Sequence, residues 1–176
     1  MTQLNQKFIL LFTGKTFKFL QVIKTHYMIT ILKTNSENKD FQNLILKLDA
    51  DLAERNGNNN DFFTQFNKTD QINHVIVAYF DNQPAGCGAI KVYDSNTMEV
   101  KRMFVPEEFR GRRIAMFILK NLEEWAKDLS YRKCILETGD KMPEAIALYK
   151  KSGYLQIPNY GQYENVESSC CFEKSL

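Results

Sequence analysis

The stretch whose reading decides the fold is Met98–Leu129, MEVKRMFVPEEFRGRRIAMFILKNLEEWAKDL. Its first part, Met98 to Val105, alternates in the manner of a β-strand and stops at Pro106. Its last part carries Ile114, Phe117, Ile118, Leu122, Trp125 and Leu129 at three- and four-residue intervals, which predicts a helix with one apolar face on a sheet. Lys120, Glu123, Glu124, Lys127 and Asp128 fill the outer face. Between them lies Arg110-Gly111-Arg112-Arg113-Ile114-Ala115. A helix start leaves backbone N–H groups unpaired and carries the positive end of the helix dipole, so a tight basic loop leading into it can cradle a phosphate. Gly111 and Ala115 keep side chains out of the way, and the three arginines offer planar cationic forks suited to a pyrophosphate. Taken alone, the loop reads more simply as an ordinary helix start with a solvated basic turn.

The periodicity on either side gives an α/β order. Ile29–Lys33 reads as a strand, and Phe41, Leu44, Ile45, Leu48 and Leu52 form a helical stripe that ends at Asn56-Gly57. After the loop Asn58–Asp61, Phe62, Phe63 and Phe66 suggest a short second helix. His74–Phe80 and Gly86–Tyr93 read as two strands of a hairpin turning at Asp81-Asn82-Gln83-Pro84. A turn at Asp94–Asn96 leads into the strand from Met98. Downstream, Cys134–Leu136 is a short buried strand, Pro143 opens a helix that Gly153 closes, and Tyr154–Ile157 and Ser169–Glu173 are the last strands. The connection Asn159–Tyr163 carries two aromatics that can reach a substrate mouth.

Taken together these segments resemble the GNAT superfamily of acyl-CoA-dependent N-acyltransferases. That family carries Gln/Arg-x-x-Gly-x-Gly/Ala between its fourth strand and the following helix, and this chain is similar at Arg110, Ile114 and Ala115. Glu99–Pro106 resembles the family's strand and its exit. Leu136-Glu137-Thr138-Gly139, then Pro143–Tyr154, resembles its fifth strand, fourth helix and sixth-strand start. The resemblance covers Ile29 to Leu176 and departs at one place, where the fourth loop position, usually Gly, is Arg113. It implies a mixed, mostly antiparallel sheet of about seven strands flanked by about four helices. It further implies acetyl-CoA as donor, no metal, and direct attack by a primary amine on the thioester in a ternary complex.

Residue by residue, the resemblance implies that Met103, Phe104 and Val105 hold the pantetheine arm through main-chain groups. In the same way Arg110, Gly111, Arg112, Arg113, Ile114 and Ala115 hold the pyrophosphate. Tyr149 matches the family's tyrosine directed at the thioester, a general acid toward sulfur, while its helix face is equally that of a core tyrosine. Glu99, eleven residues before Arg110, resembles the catalytic glutamate of the superfamily's histone acetyltransferases. Strand alternation puts Glu99 on the face of Lys101, Met103 and Val105, opposite Arg102 and Phe104. An ion pair with Lys101 or Lys91 is an equal reading of Glu99. A sensor of the same fold that binds acyl-CoA without turnover is the alternative function.

The chain has 176 residues, 44% hydrophobic and 25% charged, with a net charge of +2, values of one globular domain. The charge is too small to argue for nucleic acid. Residues 1–27 hold Lys7, Lys15, Lys18 and Lys24 and no acidic residue, a basic leader on a slightly acidic body. Phe8–Phe12 is too short to span a bilayer, so the leader reads as a surface helix, an extra packed element or upstream sequence. The expectation is a working domain of residues 28–176 with a dispensable leader. Cys87, Cys134, Cys170 and Cys171 have no metal-ligand spacing, and free thiols in a reducing cytoplasm are expected. Asp49, Asp51, Glu54 and Asp61 can attract a cationic amine or simply form a solvated helix face. The acceptor amine is left open, and pairing into a homodimer is what the resemblance implies for many members.

Overall fold

The computed structural model describes residues 8–13, 16–21, 28–56 and 72–176. Strands β1 (Phe8–Thr13) and β2 (Thr16–Gln21) pair with each other as a separate two-stranded sheet. The leader's central part therefore forms a hairpin, with no surface helix among these residues. The expected helix around Phe62, Phe63 and Phe66, and the loop before it, lie outside the described residues.

The main sheet has seven strands: β3 (Ile29–Thr34), β4 (His74–Phe80), β5 (Gln83–Val92), β6 (Thr97–Phe104), β7 (Lys133–Gly139), β8 (Leu155–Ile157) and β9 (Ser169–Ser175). Their spatial order is β3-β4-β5-β6-β7-β9-β8, antiparallel except for the β6–β7 pair. Among the described residues three α-helices flank it: α1 (Lys39–Asn56), α2 (Ile114–Asp128) and α3 (Pro143–Lys151). This is the mixed α/β architecture expected.

Most of each stripe covers the sheet, but Phe117 of α2 and Leu129 just after it, expected on the apolar face, are exposed, and Glu123, expected on the outer face, is buried with Lys174 2.6 Å away. Phe41, Leu44, Ile45 and Leu48 of α1 close over Val75, Val77, Cys87 and Ala89 on one face. Ile114, Ile118, Leu119 and Leu122 of α2 close over Ile76, Ala78, Ile90, Met98 and Val100 on the other, and Tyr149 of α3 joins this second core. The closest approach is at Gly88, where a Cβ would stand 2.5 Å from Met103 Sδ and 2.8 Å from Ile118 Cγ2. Only a glycine lets α2 and the end of β6 meet β5 there.

The β4–β5 hairpin turns on two residues rather than the four expected. Asp81 and Asn82 both have positive φ, 49° and 64°, the primed geometry that suits right-twisted strands, and Gln83 already belongs to β5. Pro84 sits inside the strand, at the register shift between Ala78 and Tyr79, where the missing N–H costs the ladder little.

Candidate active site

The parallel strands β6 and β7 pair only over Thr97–Lys133, Met98–Cys134 and Glu99–Ile135 and then separate. A cleft of about 480 Å³ opens from the separation, with Val100–Val105 along one wall and Glu137–Gly139 along the other. The arginine loop and the first turn of α2 close one end, through Arg110, Gly111, Arg113, Ile114 and Ala115. Ala145, Leu148 and Tyr149 of α3 form the floor, and Asp51 and Leu52 of α1 form the rim. Arg55 ties the rim together, 3.1 Å from Asp51 and 2.6 Å from Glu144 at the start of α3.

A bulge in β6 shapes one wall. Between the pairs Ala89–Lys101 and Cys87–Phe104, β6 carries one residue more than β5, and Arg102 takes a left-handed φ of 58°. The extra residue reverses the alternation beyond it. Met103 and Val105 pack with the α2 core that holds Met98 and Val100, whereas Phe104 packs with the α1 core. Glu99 therefore shares its face with Lys101 and Phe104, and the expectation that it shares one with Met103 and Val105 is corrected by the bulge. Such a conformation costs a non-glycine residue about 1–3 kcal/mol. Arg102 meets this with an anchor: its side chain, 4% exposed, lies 2.9 Å from Asp49 of α1.

The three loop arginines do different things. Arg110 donates from Nε to the Val105 carbonyl at 3.1 Å, which folds the loop back onto the end of β6. Arg112 stacks over the Phe80 ring at 4.5 Å and donates to the Glu108 carbonyl; its side chain is no part of the cleft wall, because two rings and a carbonyl hold it elsewhere. Arg113 lines the cleft from the residue before α2, with a φ of 64°, so the position where the family usually has glycine is indeed left-handed. Among the described residues its guanidinium takes no ion pair. Arg113→Gly should raise thermal stability by about 1 kcal/mol through relief of the left-handed backbone. If the guanidinium clasps a bound pyrophosphate, the same change should weaken acetyl-CoA binding about tenfold by calorimetry, a charge-assisted contact being worth about 1.5–3 kcal/mol. Unchanged affinity would show the side chain to be a bystander.

Tyr149 is 5% exposed, yet lines the cleft, with its ring 5.8 Å from Tyr154 and 6.2 Å from Phe172. Burial first, and the charge of Glu137 second, push its phenol well above the ordinary tyrosine range, so it keeps its proton at any physiological pH. Glu99 is placed differently. It is 8% exposed and lies outside the cleft wall, where its Oε1 accepts from Lys101 Nζ at 3.3 Å and from the Tyr160 hydroxyl at 3.2 Å. Lys101 also donates to the Tyr163 hydroxyl at 3.4 Å. The connection that carries these two aromatics thus meets Lys101 of the cleft wall through Tyr163, while neither ring lines the cleft itself.

Sequence reasoning passed over Glu137 as anything but motif. It stands two residues beyond Ile135, the partner of Glu99, so both carboxylates occupy one sheet face. Glu99 sits where the strands still pair; Glu137 sits where they have parted and lines the cleft. Ser169 donates to it at 2.6 Å, and burial raises its carboxyl to about 6 despite that bond and the nearby Lys101. A lone acid ending the apolar run Cys134-Ile135-Leu136 was the available signal. The acidic cluster of α1 is spoken for in part: Asp49 holds Arg102, and Asp51 holds Arg55 and lies 3.9 Å from Arg110.

A sheet parted between two parallel strands, with a helix N-terminus and a buried tyrosine at the opening, has the form expected of an acyltransferase that uses coenzyme A. The chain belongs to the Acetyltransferase (GNAT) family, whose model matches residues 36–154. It is 35% identical over 102 residues to an IAA acetyltransferase of Azospirillum brasilense, a match spanning 57% of this chain and 67% of that one. An N-acetyltransferase of Dictyostelium discoideum, itself without an assigned function, is 35% identical over 71 residues, of which this chain covers 32% of the relative's length. Among solved structures, a Klebsiella pneumoniae chain, named for an acyl-CoA N-acyltransferase activity proposed for it, superposes with a TM-score of 0.71. It is 26% identical and covers 85% of this chain and 98% of its own. A GNAT family acetyltransferase of Elizabethkingia anophelis, solved with acetyl-CoA bound, shares the fold at a TM-score of 0.62 and 20% identity, over 84% of this chain and 98% of that one.

Proposed function

We propose that this acetyltransferase moves the acetyl group of acetyl-CoA to a primary amine of a small molecule or peptide, by direct attack while both substrates are bound. The observation that supports the proposal is the cleft itself, which is lined by the first turn of α2, by Met103–Val105 and by Tyr149. Beyond the last β6–β7 pair, main-chain N–H and C=O groups of β6 are free of a β7 partner, which suits an amide-bearing arm. An N–H there can polarise a thioester carbonyl. Gly111, Ile114 and Ala115 present main chain to the pyrophosphate, and Arg110 and Arg113 present charge; Arg112 takes part through its backbone and by bracing the loop. Tyr149 gives a proton to the departing sulfur. Four free cysteines fit a reducing compartment such as the cytoplasm, and a pair of chains joined through sheet edges fits the fold.

The test is the shift in thermal unfolding with saturating acetyl-CoA, with AMP and 3′-dephospho-coenzyme A as controls. A ligand at a hundredfold over its Kd stabilises by about 2.7 kcal/mol, or roughly 5–10 °C in a domain of this size. A chain beginning at Met28 should show the same shift, since the β1–β2 hairpin pairs outside the main sheet; loss of the shift would tie the leader to the working domain. Absence of any shift in the full chain would sink the cofactor assignment. The second reading, a sensor that binds acyl-CoA without turnover, draws on Arg113 standing in the cradle; a shift without thiol release across a panel of primary amines would select it.

A further inference from the structure

We infer that Glu137, rather than Glu99, receives the proton of the acceptor amine, with Glu99 a positioning residue behind it. This rests on the transfer reading above. Three observations carry it. Glu137 is on the cleft wall and Glu99 is not, so of these two strand carboxylates Glu137 is the one that borders a molecule in the cleft. Glu99 already accepts from Lys101 and Tyr160, which leaves it ordered but engaged. Glu137 and Tyr149 line the same cleft, and the charge of Glu137 reaches the phenol.

Ser169 donates to Glu137, Cys171 of β9 is its strand partner, and the charges of Glu99 and Lys101 act on it, while its own charge is felt by Tyr149, Tyr163, Cys170 and Cys171. Ser169 and Lys101 favour the ionised form; burial and Glu99 oppose it. The balance leaves a carboxylate that is ionised at neutral pH yet more basic than an exposed one, with its carboxyl at about 6. An ammonium acceptor gives one proton to Glu137. The freed nitrogen lone pair forms the C–N bond, and the C–S bond breaks. Tyr149 protonates the sulfur and is restored by the surplus proton of the nitrogen, while Glu137 returns its proton to solvent. Acetyl-CoA and the ammonium thus become amide, free thiol and one proton.

The experiment measures thiol release from acetyl-CoA against pH, with benzylamine, spermidine and a lysine-bearing peptide as acceptors. Wild type should lose kcat/KM below about pH 6, because protonated Glu137 cannot accept. Glu137→Gln, which can still accept from Ser169, should fall about a hundredfold at pH 7 and lose that acidic limb, with acetyl-CoA affinity by calorimetry unchanged. Ser169→Ala removes a bond that favours the carboxylate, so its limb should move to higher pH; a merely structural serine would not move it. Glu99→Gln should lower the rate less and keep the limb. Independently of turnover, carbon-13 carboxyl NMR of the ligand-free chain should show a glutamate titrating near pH 6 that vanishes in Glu137→Gln. Wild-type turnover with Glu137→Gln unimpaired, or the limb lost in Glu99→Gln instead, would overturn the assignment to Glu137 alone. Acetyl-CoA binding with no thiol release from wild type and any amine would overturn the transfer reading and this inference with it.

Discussion

Tyr149→Phe should lower kcat about a hundredfold and leave the Kd for acetyl-CoA within a factor of two. General acid help to a leaving group is worth about 10²–10⁴ in rate, and the lower end applies because solvent at an open cleft can also protonate a thiolate. The substitution removes only the hydroxyl. The ring contacts with Tyr154 and Phe172 stay, so the second core should keep its stability, and circular dichroism and the melting temperature check that they do. Because burial and Glu137 both raise the phenol, Tyr149 should contribute no loss of rate on the alkaline side up to about pH 9, the sign expected of a donor that stays protonated. A rate unchanged in Tyr149→Phe would make this a core tyrosine that only borders the cleft.

Asp49→Ala should cost about 2 kcal/mol and lower the melting temperature by roughly 4–8 °C. Its partner Arg102 is buried, 4% exposed in its side chain, so removing the carboxylate leaves a charged group without its counter-ion. Breaking a fully buried pair costs about 3–5 kcal/mol; the lower figure follows from the carboxylate being 48% exposed, which lets water replace part of the loss. The effect should not stop at stability. Arg102 holds the left-handed bulge that turns Met103 and Val105 toward α2, so its release lets this wall of the cleft rearrange. The KM for acetyl-CoA should rise by about tenfold while Asp49→Asn, which can still accept a hydrogen bond, should recover most of it. A melting temperature lowered with KM unchanged would show the bulge to be held by β5 alone.

How far the site could be read from the chain differs residue by residue. The apolar stripes of α1 and α2 marked the faces that bury Phe41, Leu44, Ile118 and Leu122, since helical spacing admits one core-facing side. The fate of the arginines was not readable in the same way. Arg110, Arg112 and Arg113 are alike in sequence, and only the positions of Phe80, Phe109 and the Val105 carbonyl separate a stacked arginine from those that line the cleft. Arg102 is the sharpest case. Nothing in Glu99–Val105 announces an extra residue, yet that residue reverses which side chains face which helix.

By itself, then, the sequence determined the mixed α/β class and the order of the elements of the main sheet, because periodicity and turn chemistry are local properties, while the anion-site reading of the helix start and the candidacy of Tyr149 came with the family resemblance of two motifs. The tertiary structure alone decided which of the two strand carboxylates meets the cleft. Glu99 and Glu137 are both acids on strands, 38 residues apart. What distinguishes them is where two parallel strands stop pairing, and that is set by helices packed on both faces of the sheet and by a bulge anchored to α1.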